Sequence, residues 1–310
     1  MEHRFPVADA HCDFLYAMYR YRHDIRTLSS TQTVHLPYLQ AGNVKLQLFA
    51  AWVDETYKTP YLQQCMEMID AYERMLSQSD VLVRLDSGFD PTGDKIAAAL
   101  TVEGGEAIEG SLGVLRMLKK LGVCAMTLTW NSNNELAGAA MKRQSKGLSG
   151  LGREVVAEME HIRMAVDVSH LSDQGIDDVL AMTNQPIFAS HSNARKVFQS
   201  PRSLKDEHIA EIARRGGVVG VNYFHKQLTA GKRAYIRDIV PHILHMVEIG
   251  GDACCALGSD FDGMTQYPED LPHSGAVPVL LQALLDAGLT ETQVKRLAFD
   301  NLSDYILQFV

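Results

Sequence analysis

Short apolar runs alternate with longer amphipathic segments along all 310 residues of the chain. Eight of the runs read as strands: Phe5–His11, Val44–Trp52, Ala97–Glu103, Val123–Trp130, Met164–His170, Pro186–His191, Gly217–Tyr223 and Ala253–Asp260. Most are continuous Val, Ile, Leu and Ala stretches without strict alternation, the pattern of parallel strands buried on both faces. Between them the spacing turns helical over Tyr61–Ser77, Ile108–Leu121, Leu151–His161, Ser172–Met182, Lys205–Arg214 and Ile236–Ile249. Two further helices, Val277–Ala287 and Thr290–Phe299, follow the last strand. Helix starts are marked by Ser172 before Asp173, by Ser203 ahead of Asp206 and Glu207, and by a capping box at Thr290-Glu291-Thr292-Gln293. This βα alternation predicts an α/β fold, a single (β/α)8 TIM-like barrel over residues 1–310, with an open doubly wound sheet as the alternative. No short-period repeat, low-complexity tract or long linker interrupts it. The irregular stretch 131–150, rich in Asn, Ser, Gly and Lys, reads as a lid or substrate loop.

A barrel makes a demand on the sequence: chemical groups belong at the C-terminal ends of strands, where the βα loops begin. The first strand ends in His11 and Asp13, which project the same way because strand side chains alternate. The third ends in Glu103-Gly104-Gly105, the fifth in His170, the sixth in His191, and the eighth in Asp260-Phe261-Asp262-Gly263. Each ending has an ordinary explanation, such as a strand cap, a helix N-cap neighbour or a turn. Together they supply the nitrogen and oxygen donors that zinc takes. Five donors exceed one tetrahedral site, and a carboxylate shared by two metals about 3.5–4 Å apart is the economical solution. His242 and His245 share a helix face but lie away from any strand end, which favours packing or a supporting role. His3, His23, His35, His161, His208, His225 and His273 have no matching partners and read as structural or surface residues.

Composition narrows the function classes. A net charge of −9 argues against a nucleic-acid binder. The longest apolar runs, such as residues 216–223, are far too short to span a bilayer, so no membrane partner is expected. The start, Met1-Glu2-His3-Arg4-Phe5-Pro6, leads into the first strand without the apolar core of a secretory signal. The five cysteines, Cys12, Cys65, Cys124, Cys254 and Cys255, are odd in number, scattered and without a CxxC pair. A reduced, cytoplasmic protein is expected.

The order of the motifs then carries a resemblance. Asp9-Ala10-His11-Cys12-Asp13, Glu103-Gly104-Gly105, Leu128-Thr129-Trp130-Asn131, Asp167-Val168-Ser169-His170, Ser190-His191-Ser192-Asn193-Ala194-Arg195, Gly216-Gly217-Val218-Val219-Gly220-Val221-Asn222 and Gly258-Ser259-Asp260-Phe261-Asp262-Gly263 follow one another on these strands. In this the chain resembles the membrane (renal) dipeptidase family of zinc peptidases, in a soluble bacterial-type form. The resemblance implies a distorted (β/α)8 barrel of the metal-dependent hydrolase type with two zinc ions. His11 and Asp13 would hold one, His170 and His191 the other, and Glu103 with a water or hydroxide would bridge them. It implies a zinc-dependent dipeptidase that cleaves free L-Xaa-D-Yaa and L-Xaa-Gly dipeptides as well as L,L ones through the metal-bridging hydroxide. Asp260 would shuttle the proton to the leaving amine, with Asp262 as the competing choice. Arg202 would hold the substrate carboxylate, although a loop salt bridge to Asp206 also accounts for it. A homodimer is implied too, with no stretch that identifies the interface.

One position departs from the family. Trp130 stands where the renal enzymes carry a histidine associated with substrate and oxyanion contacts. Trp130 could close the substrate pocket as an apolar wall, or Asn131, Asn133 or Tyr223 could supply a polar contact. Two rival readings follow: a binuclear zinc hydrolase of a non-peptide amide, lactam or ester, and a non-catalytic dipeptide-binding barrel.

Overall fold

The computed structural model describes residues 5–29 and 31–310. His3 lies outside the described residues. The strands are β1 (Val7–Cys12), β2 (Val44–Trp52), β3 (Leu82–Arg84), β4 (Ile96–Glu103), β5 (Val123–Thr127), β6 (Ala165–Asp167), β7 (Phe188–Ala189), β8 (Val218–Val221) and β9 (Cys255–Leu257). Every pairing between them is parallel. Eight strands close a ring in the order β1-β2-β4-β5-β6-β7-β8-β9 and back to β1. The fold is therefore the predicted closed barrel, and the doubly wound alternative falls. The ninth strand, β3, pairs with Ile96, Ala97 and Ala98 of β4 before β5 takes over that edge at Leu100. Three residues are too few for periodicity to reveal.

The barrel interior explains which end is free for chemistry. Residues near the starts of the strands, among them Ala8, Leu46, Ala97, Cys124, Phe188 and Val218, pack against Phe299, Leu302, Tyr305, Ile306 and Phe309 of the C-terminal segment. That segment plugs the N-terminal mouth, with Tyr305 Oη donating to the Pro186 carbonyl and Lys119 Nζ to that of Phe309. The C-terminal mouth stays open. Outward-facing residues such as Val7, Phe49, Leu100 and Val219 join the larger core beneath the helices.

The helix Tyr61–Ser77 matches its predicted span, and Ser172 caps Asp173–Met182 by accepting from Gly175 N–H. The Thr290 capping box forms with Gln293. The predicted Ile108–Leu121 helix starts later, at Leu112, because Ser111 caps it after a separate turn at Gly105–Ile108. Ser203 is not a cap: Asp206–Arg214 starts from Lys205 without a side-chain cap, and its acidic first turn suits the helix dipole. Helices at Phe14–Tyr21, Leu36–Ala41, Gly150–His161, His225–Leu228, Ile236–Gly250, Val277–Asp286 and Asn301–Ile306 complete the set. Among the described residues no helix is long and apolar enough to cross a membrane.

Candidate metal site and its pocket

β1 delivers His11 from its penultimate position and Asp13 from the residue that opens the helix Phe14–Tyr21, while Cys12 turns into the core. The strand is held in register by Asp9, whose carboxylate accepts from Ser259 N–H at 2.8 Å and Ser259 Oγ at 2.5 Å. Glu103, at the end of β4, stands in the centre. One of its oxygens lies 3.4 Å from His11 Nε2; the other lies 2.9 Å from His170 Nε2 and 3.4 Å from His191 Nε2. His11 Nε2 is also 3.5 Å from Asp13 Oδ2. All five side chains are buried.

Gly104 sustains this turn. Its φ of 101° suits glycine, a Cβ there would meet Val53 and Glu106 at 2.9 Å, and its N–H donates to Thr127 Oγ1 at 2.7 Å.

The donor atoms fit a bound metal. His11 Nε2 and Asp13 Oδ1 are buried without a hydrogen-bond partner, an arrangement that costs free energy unless something else completes them. The other ring nitrogens are anchored, His170 Nδ1 at 3.0 Å from Asn131 Oδ1 and His191 Nδ1 at 2.8 Å from Ser190 Oγ. Such anchoring aims Nε2 at the site, as ligating histidines require. Imidazole nitrogens with carboxylate oxygens are a zinc-type donor set.

Charge is distributed unevenly. Burial, helped by the Arg202 cation, lowers the His170 pKa to about 4. Burial and the neighbouring His11 hold His191 well below its ordinary value. Both stay neutral, which is the ligating form. Burial opposes a charge on His11 too, but Glu103 and Asp13 overcome it and raise its pKa well above normal. Burial likewise opposes the Glu103 charge, yet the charge of His11 beside it holds its pKa well below normal.

Asp260 and Asp262 both follow β9 in left-handed turns, with φ of 62° and 63°. Asp260 approaches His11 and Asp13 and accepts from Asn222 Nδ2 at 3.0 Å. Burial and the Asp13 charge raise its pKa to about 7. Asp262 instead accepts from Thr33 N–H at 2.8 Å, Thr33 Oγ1 at 2.9 Å and Val34 N–H at 3.3 Å. It clasps a loop.

Asp167 has a structural part that its place in a motif did not reveal. Its Oδ1 accepts from Ser169 N–H at 2.9 Å and Ser190 N–H at 3.1 Å, and Ser169 Oγ accepts from His191 N–H at 3.1 Å. One buried carboxylate thus ties together the two strand ends that carry His170 and His191. A charged residue inside an otherwise apolar strand is the signal that points to such a hub.

A cavity of about 970 Å³ opens over the cluster. Arg202 lines it, buried, with Nη2 at 3.4 Å from the His191 carbonyl. Burial pulls the Arg202 pKa down to about 10 against the pull of Glu103 and Asp260. Asp206 pairs with His245 at 2.8 Å. Trp130 lines the cavity between Trp52, at 4.8 Å between ring centroids, and His170, at 6.2 Å. Of the polar substitutes considered from sequence, Asn131 lines the cavity, and so does Met141 from the same 131–150 loop. Asn133 turns into the loop to accept from Ala139 N–H, and Tyr223 is buried against Phe261. His242 accepts from Ala194 N–H at 3.1 Å, away from the cluster. Trp52 and Tyr16 also line the cavity; nothing in the sequence pattern singled them out.

Comparisons with known proteins agree with this geometry. Residues 1–304 match the family model described as membrane dipeptidase, peptidase family M19. A Schizosaccharomyces pombe protein named as an uncharacterized dipeptidase is 30% identical, over 94% of this chain and 77% of its own length. A solved dipeptidase, a metallopeptidase of family M19, superposes with a TM-score of 0.89 at 24% identity over 99% of both chains. A metallopeptidase from Rhodobacter sphaeroides, solved with a phosphinate mimic of the dipeptide L-Ala-D-Ala, gives 0.89 at 23% identity, again over 99% of both chains.

Proposed function

The chain belongs to the membrane dipeptidase family, peptidase family M19, and is thus a metal-dependent dipeptidase that hydrolyses peptide bonds; from that premise we propose that it cleaves free L-Xaa-D-Yaa, L-Xaa-Gly and L,L dipeptides with two zinc ions. Residues 1–310 would act as one barrel unit. His11 and Asp13 would hold one zinc, His170 and His191 the other, and Glu103 would reach both. The observation that carries this reading is the Glu103 carboxylate, with one oxygen toward His11 and the other toward His170 and His191.

When bound, such a metal pair supplies Lewis acidity that activates a water and polarises the scissile carbonyl. The remaining work belongs to the chain. Asp260 accepts the proton of the attacking water and returns it to the departing amine, a task suited to a carboxyl buried beside His11 and Asp13, where burial favours its protonated form. Asn222 holds Asp260 in place through its 3.0 Å hydrogen bond. Arg202 binds the C-terminal carboxylate of the substrate through its planar fork. The L-Ala-D-Ala mimic bound by the Rhodobacter sphaeroides relative supports tolerance of a D-residue in the second position. Five unpaired, buried cysteines support a reducing, cytoplasmic setting.

The deciding experiment is hydrolysis of L-Ala-L-Ala, L-Ala-D-Ala, L-Ala-Gly and an N-blocked control by protein of measured zinc content. Cleavage of the free dipeptides but not the blocked one is expected. Silence toward all free dipeptides with two zincs bound would overturn the proposal, and cleavage of the blocked substrate alone would redirect it to a non-peptide amide.

A further inference from the structure

The cavity over the cluster takes its two cations, Arg202 and Lys226, from one arc of the barrel and a contiguous aromatic wall from another. The loops after β7, β8 and β9 contribute Arg202, Lys226 and Asp260 to its wall. The helix after β1, the last residue of β2 and the segment after β5 contribute Tyr16, Trp52 and Trp130, with β2 and β5 flanking the β4 strand that carries Glu103. The three rings form one surface: the Tyr16 centroid lies 4.6 Å from that of Trp52, which lies 4.8 Å from that of Trp130. All three are only half-buried, so they present carbon to the cavity.

Their polar atoms do not compete for a ligand. Tyr16 Oη donates to Asp54 Oδ2 at 2.7 Å, and Trp52 Nε1 is buried without a partner. The acidic side chains beside the wall are already engaged, Asp54 with Tyr16 and Thr56 and Glu55 with Ser132 Oγ at 2.8 Å.

Resting on the dipeptidase reading, we infer that Tyr16, Trp52 and Trp130 form the subsite for the side chain of the substrate's first residue and select large aliphatic or aromatic groups. The direction follows from the two fixed points. With the C-terminal carboxylate on Arg202 and the scissile carbonyl over Glu103, the first residue extends toward β2 and β5. Covering a leucine-sized side chain on this wall removes several methylene-equivalents from water that an alanine leaves exposed, enough for about a tenfold preference.

Trp52 and Trp130 are the chain's two tryptophans, so its tryptophan emission reports on this wall alone. The test has two readouts. On zinc-loaded enzyme, kcat/KM is measured for L-Leu-Gly, L-Phe-Gly, L-Arg-Gly and L-Ala-Gly. The leucyl and phenylalanyl substrates should exceed the alanyl one by about tenfold, with the arginyl one below both. In Trp52→Ala and in Trp130→Ala that ratio should fall toward one, chiefly through KM, and Trp130→Phe should restore most of it. Independently, L-leucine should perturb the tryptophan emission of the wild-type holoenzyme with about tenfold tighter affinity than L-alanine. If the alanine variants fail to fold, this wild-type titration decides. Equal kcat/KM across the panel, a preference for arginine, an unchanged ratio in the folded variants, or equal amino-acid affinities would each overturn the inference. Cleavage of L-Ala-Gly without preference removes this inference alone, whereas cleavage of none of the four by zinc-loaded protein removes the dipeptidase reading and this one with it.

Discussion

The Nε2 atoms of His170 and His191 face each other at 2.9 Å, with Glu103 Oε1 2.9 Å from the first and 3.4 Å from the second. Asn131 Oδ1 at His170 Nδ1 can only accept, so the His170 proton sits on Nδ1 and a lone pair points inward. The His170 lone pair and the Glu103 carboxylate aim at one point, an arrangement that a bound cation would complete. Zinc added to chelator-treated protein should therefore raise the melting temperature by about 5 °C or more, as a tight ligand of the folded state does. His170→Asn and His191→Asn should each lose about one zinc of the proposed two. Scanning calorimetry with metal analysis checks both, and full zinc in either variant would contradict the assignment.

Asp260→Asn separates a proton carrier from a ligand. The amide preserves shape and can still meet Asn222, but it cannot shuttle a proton. A fall in kcat of about 10²–10⁴-fold is expected, with zinc content unchanged. Loss of a zinc in this variant would make Asp260 a ligand instead.

The residues that the sequence marks at strand ends, and that the fold brings together at one barrel mouth, share a physical cause. A His, Glu or Asp that ends an apolar run stands out because burial on both faces leaves few other polar positions in the strand. His11, Glu103, His170, His191 and Asp260 were readable for that reason. Trp52 was not, because an aromatic residue at a strand end looks like more core, and only the ring contact with Trp130 shows where it faces. Tyr16 lies on a helix packed with Tyr and Arg, whose amphipathic pattern is blurred by half-buried aromatics. β3 is too short to carry a period, and the delayed start of Leu112–Lys120 turns on the single Ser111 cap. Asp9 and Asp167 were visible as charges inside strands, but their partners, Ser259 in one case and Ser169 with Ser190 in the other, are brought near by the ring closing.

Asp167→Ala tests that last arrangement. Removing the acceptor shared by Ser169 and Ser190 N–H should loosen both proposed histidine ligands at once. Zinc affinity should fall about 10–100-fold, the usual cost of losing an outer partner of a metal site. Competition with a chromogenic chelator measures it. Lowered thermal stability with unchanged zinc affinity would reduce Asp167 to a packing role.

His242 predicts a pH effect away from the metal cluster. It is fully buried, accepts from Ala194 N–H, and burial lowers its pKa from 6.5 to about 4. Between these values the unfolded chain binds the proton and the folded chain does not. The contribution is therefore complete above about pH 6.5 and is lost as the pH falls toward 4, on the order of 3 kcal/mol. His242→Gln should be less stable than wild type at pH 7 yet lose less on acidification. Urea melts of metal-free protein across that window give the two slopes; parallel slopes would exclude His242 as the source.

Gly263 offers the sharpest steric test. A Cβ at this position would lie 2.0 Å from Asp13 Oδ2 and 2.6 Å from Asp260 Oδ1, so Gly263→Ala must displace both carboxylates. The cost to folding should stay within about 1–3 kcal/mol, since side chains rather than backbone give way. The cost to the site should be larger: weaker binding of the zinc assigned to His11 and Asp13, and a kcat/KM lowered by about 10²-fold or more. Gly150→Ala is the matched control, because a Cβ there meets nothing within 4 Å at the start of the helix Gly150–His161. It should raise stability by about 0.5 kcal/mol by restricting the unfolded chain and leave zinc content alone. If Gly263→Ala keeps both zinc and turnover, the proximity of Asp13 and Asp260 has no part in the reaction, and the proton path assigned to Asp260 loses its geometric basis.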